Sequence, residues 1–555
     1  MKMQEKYNLW LEKVQDCELR AQLEQMQQNE EAKENAFFKD LEFGTGGLRG
    51  EIGVGTNCLN IYTIGKITQG IADYMKAKGF ECVAISFDSR IKSTVFAQKA
   101  ATVFALNGIK AYITRELMPT PFLSYITRNL GAQIGVMITA SHNPAKYNGY
   151  KVYGADGCQI TDGAVQEIVP FMEKVDMFSV PEGEFSALLN SGEIVYVPDA
   201  LTEKFLNDVF ALSVGKDNHL KITYSALNGT GYQLVPKILA RAGFQNVCLV
   251  EEQSYPNGNF TTCPYPNPEK KEALALGMQY AKANGSDILL ATDPDCDRVG
   301  VAVKHGEEYV LLTGNEVGVL LTDYMLTVKK QEGTLPQNPI VLKTIVTTDL
   351  VKKIAKEHGV EIIEVLTGFK YIGEVISNLE KQGEKSRFLL GFEESYGYLS
   401  GAHVRDKDGV NAALIISQMA AYYKKQGVTL VDKMQEMYAR YGLYEHQLVS
   451  YTFEGASGNQ EMKIRLKNLR ENLPKEIAGI KVVKTLDYLT QTEYNLPKAN
   501  VLSFALEDGS KVIIRPSGTE PLVKAYLTVC FDKQKNQERL AWFKRYLNGL
   551  FLDDM

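Results

Sequence analysis

The run Ile138-Thr139-Ala140-Ser141-His142-Asn143-Pro144-Ala145-Lys146-Tyr147-Asn148-Gly149-Tyr150-Lys151 decides how the rest of the chain is read. The apolar residues from Ile134 to Ile138 lead into it and predict a buried strand. Small and polar residues follow at once, so Ser141 stands at the carboxyl end of that strand, where open α/β sheets carry their chemistry. Pro144 stops the strand, and Asn148-Gly149 is expected to form a turn. His142 and Lys151 are within reach of the serine's surroundings. A surface loop with an ordinary serine is the competing reading of so short a motif. A Ser-His-Asp hydrolase is disfavoured, because the G-x-S-x-G elbow is missing.

Outward from this run, one pattern repeats three times. Val83 to Phe87 is strand-like, followed by polar Asp88-Ser89-Arg90, a helix over Thr94 to Asn107, Gly108, and a strand over Lys110 to Ile113. Leu220 to Tyr224 leads to Asn228-Gly229-Thr230-Gly231, a helix to Arg241, Gly243, and a strand over Val247 to Val250. Ile340 to Thr344 leads to Thr347-Thr348-Asp349, a helix to His358, Gly359, and a strand over Glu361 to Val365. Each is a βαβ unit whose helix stops at glycine. Apolar strands of this kind predict mainly parallel sheets covered on both faces.

The tail differs. Leu448 to Phe453, Ile480 to Leu486, Val501 to Leu506, Lys511 to Arg515 and Val523 to Cys530 read as strands, with helices at Glu461 to Leu473 and Gln534 to Leu547. Asp508-Gly509 makes a hairpin turn. The expectation is therefore α/β: three tandem α/β domains with mixed or parallel sheets, then a C-terminal α+β domain with an antiparallel sheet. The boundaries are placed at 1–205, 206–310, 311–445 and 446–555. Ahead of the first sheet, Leu9, Trp10, Val14, Leu19 and Leu23 recur at helical intervals, which predicts one N-terminal helix over Tyr7 to Gln28.

Composition narrows the partners. The 555 residues are 45% hydrophobic and 23% charged, which is globular. A net charge of -6 disfavours nucleic acid or an anionic membrane as the main partner, so an anionic small molecule needs a local basic pocket. The 8 cysteines are scattered and form no C-x-x-C pair, which fits free thiols in a reducing cytoplasm. Neither a signal peptide nor a long apolar run is seen. Monomer and homodimer are equally compatible with the sequence.

Several stretches carry chemistry. Asp293, Asp295 and Asp297 alternate after the apolar run Ile288 to Ala291, and hard oxygen ligands at this density suit Mg²⁺. An EF-hand fails, because Arg298 and Lys304 stand where its glycine and closing glutamate belong; a solvated acidic turn is the plain alternative. Arg298 can balance these carboxylates and fork onto a phosphate oxygen. Phe43-Gly44-Thr45-Gly46-Gly47-Leu48-Arg49-Gly50 places Arg49 on a glycine-rich loop suited to an anion, or to a plain turn. Glu393 and Ser395 alternate, so in an extended segment both face one side and can hold adjacent hydroxyls. In Arg515-Pro516-Ser517-Gly518-Thr519-Glu520-Pro521, Arg515, the Ser517 and Thr519 hydroxyls and the backbone N–H groups of Gly518 and Thr519 form a phosphate cradle. A decorated hairpin turn is the alternative.

Thr139-Ala140-Ser141-His142-Asn143-Pro144, Thr292-Asp293-Pro294-Asp295-Cys296-Asp297-Arg298, Gly391-Phe392-Glu393-Glu394-Ser395 and the Arg515 loop stand in the order seen in the α-D-phosphohexomutases, which the chain resembles over nearly its whole length. In detail it is similar to the phosphoglucomutase and phosphopentomutase branch. The resemblance implies four domains around a central cleft. It implies a phosphoserine at Ser141 and one Mg²⁺ held by that phosphoserine, Asp293, Asp295 and Asp297. Lys151 matches the family lysine that serves proton transfer, with His142 as second candidate or as a structural hydrogen-bonding group; nearby cations would lower the Lys151 pKa. Thr367 and Gly368 match a sugar-contact loop, Lys407 a substrate contact from the third domain, and Arg49 a residue near the phosphoserine. The implied reaction interconverts α-D-glucose 1-phosphate and glucose 6-phosphate through glucose 1,6-bisphosphate. Mannose and pentose phosphates stay open as substrates. A phosphatase or a non-catalytic sugar-phosphate binder are the rival classes.

Overall fold

The computed structural model describes residues 3–44, 46–453, 455–491, 496–517 and 522–552, with 455–457 by backbone only. It contains four sheets. Two compact units are formed: residues 1–341 with 369–431, and residues 342–368 with 432–555.

In the first sheet, strands run in the order Gly47–Glu51, Tyr147–Gly154, Ile134–Ile138, Cys82–Phe87, Lys110–Ile113, Ile194–Tyr196. The last four of these are mutually parallel, whereas Tyr147–Gly154 runs antiparallel to both its neighbours. The second sheet orders Glu308–Leu312, Val299–His305, Ile288–Thr292, Lys221–Ser225, Asn246–Leu249, and it too mixes parallel and antiparallel pairs. The expected mixed or parallel sheets are found, parallel pairs making up three of the five in the first sheet and two of the four in the second. In each of these two sheets one parallel strand, Ile134–Ile138 or Ile288–Thr292, turns back to pair antiparallel with the strand that follows it, and the two connecting loops carry Ser141 and the three aspartates. A third sheet holds four strands, of which Phe388–Phe392 and Tyr398–Ser400 pair antiparallel around the Glu393–Gly397 turn. Apolar side chains of the first sheet and its helices, among them Ile64, Ile71, Val83, Ile85, Phe104, Val136 and Ile138, form one continuous core.

The second unit carries an antiparallel six-stranded sheet, Tyr444–Thr452, Leu522–Cys530, Lys511–Pro516, Leu502–Leu506, Ile480–Asp487 and Glu476–Ile477 in order. Gly455–Glu471 and Lys533–Phe551 are its helices, and Phe504, Val512, Val523, Phe543 and Leu547 fill its core. The α+β tail is as expected.

Two local expectations are corrected. The N-terminal helix is three helices, Met3–Lys13, Cys17–Gln25 and Glu30–Phe37. Asp16 starts the second by accepting the Leu19 N–H, and Asn29 starts the third the same way, so short polar caps override the apolar spacing. Asn148-Gly149 is not a turn but the interior of strand Tyr147–Gly154. Asn148 is buried and donates to the Ile91 carbonyl and Ser93 Oγ. Glycine is required next to it because a Cβ would lie 2.5 Å from the Thr139 carbonyl and 2.8 Å from that of Leu48. Among the described residues no helix is long and apolar enough to cross a membrane.

Candidate active site

Strands Cys82–Phe87 and Ile134–Ile138 end side by side, with Phe87 opposite Ile138. The next residues, Asp88 and Thr139, meet: Thr139 Oγ1 donates to Asp88 Oδ2 at 2.5 Å and accepts the Ser141 N–H at 2.8 Å. Ser141 is buried at 2% exposure with φ of 53°, a left-handed conformation that costs a residue with a Cβ about 1–2 kcal/mol. Its Oγ donates to Asp293 Oδ2 at 2.9 Å and lies 3.2 Å from His142 Nδ1.

The aspartates sit on the hairpin loop between Ile288–Thr292 and Val299–His305. Asp293, Asp295 and Asp297 are 0–2% exposed, and one oxygen of each lies within 4.8 Å of the others. Asp293 Oδ1 accepts the N–H groups of Asp297 and Arg298, both at 3.1 Å. Asp295 Oδ2 accepts from Thr120 Oγ1 and from Lys151 Nζ, each at 2.8 Å. Asp297 Oδ2 lies 3.2 Å from Lys407 Nζ and 3.6 Å from Lys151 Nζ. The outer oxygens Asp295 Oδ1 and Asp297 Oδ1 are buried and accept no hydrogen bond. Buried carboxylate oxygens without donors are costly, and a divalent cation satisfies such a set. The three aspartates could therefore hold a metal ion.

Electrostatics separate the three carboxyls. Burial and repulsion from Asp295 and Asp297 push the Asp293 carboxyl well above its ordinary range. Burial alone would do the same to Asp295, but the Lys151 ammonium holds it well below. Lys151 responds in kind. Burial disfavours its charge, yet attraction to Asp295 and Asp297 outweighs this and raises its pKa. Lys407 is the neighbouring cation that acts to lower it, as the sequence led one to expect, and the two carboxylates outweigh it. His142 goes the other way: burial, then Arg298 and Arg49, keep its imidazole neutral.

The remaining predicted residues of the first unit gather nearby in parts. Arg49, on strand Gly47–Glu51 opposite Gly149, reaches Asn143 Oδ1 at 3.3 Å. Arg298 pairs with Glu269 at 2.6 Å and stands 3.9 Å from Asp297. Lys407 bridges Asp297 and Asp406, and Asp406 also accepts from Tyr153 Oη at 2.8 Å. Glu393 and Ser395 are not on an extended segment. They lie in a tight turn in which Tyr396 has φ of 66°, so alternation along the chain does not set their directions. Glu393 is 5% exposed, and burial pushes its carboxyl up to about 7 against the pull of Lys407.

In the second unit, Arg515 lies at the end of strand Lys511–Pro516, opposite Lys524, and Ser517 donates its N–H to the Leu522 carbonyl at 2.8 Å. Gly518 and Thr519 lie outside the described residues, as does Thr45 of the glycine-rich loop. Thr367 Oγ1 is buried without a hydrogen bond, and Gly368 has φ of 120°.

Sequence reasoning missed Asp88, Arg90, Thr120, Tyr153 and Asp406, which hold the named residues in place. Asp88-Ser89-Arg90 carried a usable signal, a polar triplet at the carboxyl end of a strand parallel to the serine's own.

Comparison with known proteins follows the same map. Models described as phosphoglucomutase/phosphomannomutase alpha/beta/alpha domains I, II and III match residues 40–178, 199–306 and 313–441, and the C-terminal domain of that family matches 461–541. A phosphoglucomutase of Staphylococcus haemolyticus is 36% identical over 515 residues, which is 90% of this chain and 92% of the relative. One from Staphylococcus aureus strain USA300 is 35% identical over 538 residues, 94% of this chain and 95% of the relative. The chain has the fold of pp63/parafusin from Paramecium, solved in an open form, with a TM-score of 0.70 at 17% identity over 93% of this chain and 97% of that one.

Proposed function

The chain belongs to the phosphoglucomutase/phosphomannomutase family, and on that premise we propose how its own residues carry out the reaction. It is a phosphohexomutase, an isomerase, interconverting α-D-glucose 1-phosphate and glucose 6-phosphate. The observation that carries the site assignment is Ser141 Oγ, buried and 2.9 Å from the nearest of three clustered aspartates.

Ser141 carries the phosphoryl group. The phosphoserine passes it to the free hydroxyl of a sugar monophosphate, the Oγ–P bond breaking as the sugar O–P bond forms. The resulting glucose 1,6-bisphosphate turns over, and its other phosphate returns to Ser141. On that return the serine hydroxyl proton passes to His142 Nδ1, 3.2 Å away and held neutral. The imidazolium so formed gives the proton to the departing sugar oxygen; in the opposite direction the imidazole takes the proton of the attacking sugar hydroxyl and gives it to the departing serine oxygen, so each transfer leaves His142 neutral. Lys151 keeps its ammonium on Asp295 and Asp297, where it steadies the carboxylates and faces developing charge. Asp293, Asp295, Asp297 and the phosphoserine would hold Mg²⁺, which supplies charge neutralisation for phosphoryl transfer. Arg298 and Arg49 attract the phosphate, and Glu393, Ser395, Thr367, Gly368 and Lys407 serve the sugar. Arg515, Ser517, Gly518 and Thr519 take the phosphate that does not react. The eight cysteines are free thiols, in keeping with a cytoplasmic setting.

A panel of glucose, mannose, glucosamine and ribose phosphates, with Mg²⁺ and a trace of the matching bisphosphate, tests the substrate. Glucose 1-phosphate is expected to give the highest kcat/KM. A clear preference for ribose or mannose phosphate would keep the mechanism and replace the substrate. Phosphate release as fast as isomer conversion would make the protein a phosphatase.

A further inference from the structure

The serine loop has a fastener that the reaction does not call on directly. Arg90 follows Asp88 by two residues and is 3% exposed. Its guanidinium collects four peptide carbonyls of the loop. Nη2 donates to the Ser141 carbonyl at 2.5 Å and to that of Asn143, and Nη1 donates to Pro144 at 2.9 Å and Tyr147 at 3.0 Å. Carbonyl dipoles that converge in this way repel one another unless a cation sits among them, and a planar fork serves two pairs at once where an ammonium, a point charge, would not.

Asp88 secures the fork. Its Oδ1 accepts the Arg90 N–H at 2.9 Å and Ser93 Oγ at 2.7 Å, and its Oδ2 lies 3.4 Å from Arg90 Nε. Since Oδ2 also holds Thr139 Oγ1, which takes the Ser141 N–H, both peptide groups of Ser141 lead back to one carboxylate. The other face of the guanidinium is covered by Phe260, with its ring centroid 5.1 Å from Cζ. Phe260 belongs to the same chain segment as Gly258, where a Cβ would lie 2.6 Å from the Ile91 nitrogen and 2.8 Å from the Ser89 carbonyl. The segment that covers Arg90 therefore comes from the part of the chain that also supplies Glu269 to Arg298.

We infer that Arg90, held by Asp88, is a positioning residue: by gathering these four carbonyls it fixes Ser141 in its left-handed conformation and aims the phosphoryl-bearing oxygen at the aspartates. The inference rests on Ser141 being the phosphoryl carrier. It touches neither sugar nor phosphate in this role, so its loss should slow transfer without weakening substrate binding.

The test uses the full-length protein as Arg90→Lys, Arg90→Met and Asp88→Asn, each checked for folding by circular dichroism and thermal melt. Each is charged with glucose 1,6-bisphosphate, its phosphoserine counted by intact mass, and its transfer to glucose 6-phosphate followed in a single turnover. Misaiming a reacting atom by about 1 Å costs roughly a hundredfold. The expected result is normal phosphoserine content, transfer slowed about a hundredfold in Arg90→Met, KM within about threefold of wild type, and a shifted phosphorus NMR signal for the phosphoserine. Arg90→Lys is expected to restore little, because the fork is lost. Folded Arg90→Lys and Arg90→Met variants that transfer at the wild-type rate would overturn the inference. If both unfold, a folded Asp88→Asn with full transfer rate would overturn it as well. Full activity in Ser141→Ala would instead strike the phosphoserine assignment, a separate result from any obtained at Arg90.

Discussion

The serine loop and the aspartate loop each join two antiparallel strands, Ile134–Ile138 to Tyr147–Gly154 and Ile288–Thr292 to Val299–His305. Each contains one left-handed residue that is not glycine, Ser141 at φ of 53° and Cys296 at φ of 51°. They differ in what is tied down. In the serine loop the restraints fall on peptide groups, through Thr139 and Arg90, and among the described residues the Ser141 side chain has Asp293 and His142 as its hydrogen-bonding partners. In the aspartate loop peptide groups are held too, the Pro294, Asp295 and Cys296 carbonyls accepting the N–H groups of Thr230, Thr120 and Gly409, but here the carboxylates are tied down as well, through two N–H groups, the Thr120 hydroxyl and two lysines. A side chain that must gain and lose a covalent group is best aimed by its backbone. A charge that must stay in place is best held by the side chain itself.

The largest effect should come from the free end of the serine loop. Ser141→Ala removes the carrier and should cut isomerisation by at least about a thousandfold in a coupled assay, with a melting curve close to wild type because one loop hydroxyl is all that changes. Activity within tenfold of wild type would break the contrast between the loops.

Asp295→Asn strikes the held end of the other loop. It removes a cation ligand and the partner of Lys151, and turnover should fall roughly a hundredfold. Titration calorimetry with Mg²⁺ should show weakened binding, and chelation should abolish wild-type activity until Mg²⁺ is returned. Unchanged Mg²⁺ affinity would remove Asp295 from the ligand set.

Arg515→Ala should act on substrate binding alone. Losing a charge-assisted hydrogen bond to phosphate costs about 2 kcal/mol, or roughly thirtyfold in KM, with kcat changed less. An unaltered KM would contradict the assignment of the terminal loop.

The smallest effect is on stability. The Glu393 carboxyl rises from 4.5 to about 7 in the folded state, chiefly through burial. The folded protein therefore binds more protons than the unfolded chain between these values, and this group's contribution to stability falls as pH rises across that window. Gln does not titrate, so Glu393→Gln should gain on wild type by about 2 kcal/mol as pH climbs from 5 to 8. Melting curves that differ equally at both pH values would show that Glu393 is not held in this way.

The loops themselves were legible in the sequence because each breaks an apolar strand with polar residues, as at Ile138 to Ser141 and Thr292 to Asp293. The α+β tail was legible for a similar reason: its alternating strands and the Asp508-Gly509 turn are local signals. What holds the loops was not legible. Arg90 meets residues about fifty positions away, Thr120 meets Asp295, and Tyr153 meets Asp406, and pairs so distant leave no mark in a local window. Two local signals misled for physical reasons. Asn148-Gly149 has turn composition, but a neighbouring carbonyl demands glycine inside a strand. Glu393 and Ser395 alternate as in a strand, but the chain reverses between them and Tyr398.

The most direct measurement is the intact mass of the wild-type protein before and after incubation with glucose 1,6-bisphosphate, followed by peptide mapping and addition of glucose 6-phosphate. One phosphoryl group should appear on the peptide containing Ser141 and leave again as bisphosphate forms. A protein that interconverts the glucose phosphates while carrying its phosphoryl group elsewhere, or none, would contradict the account.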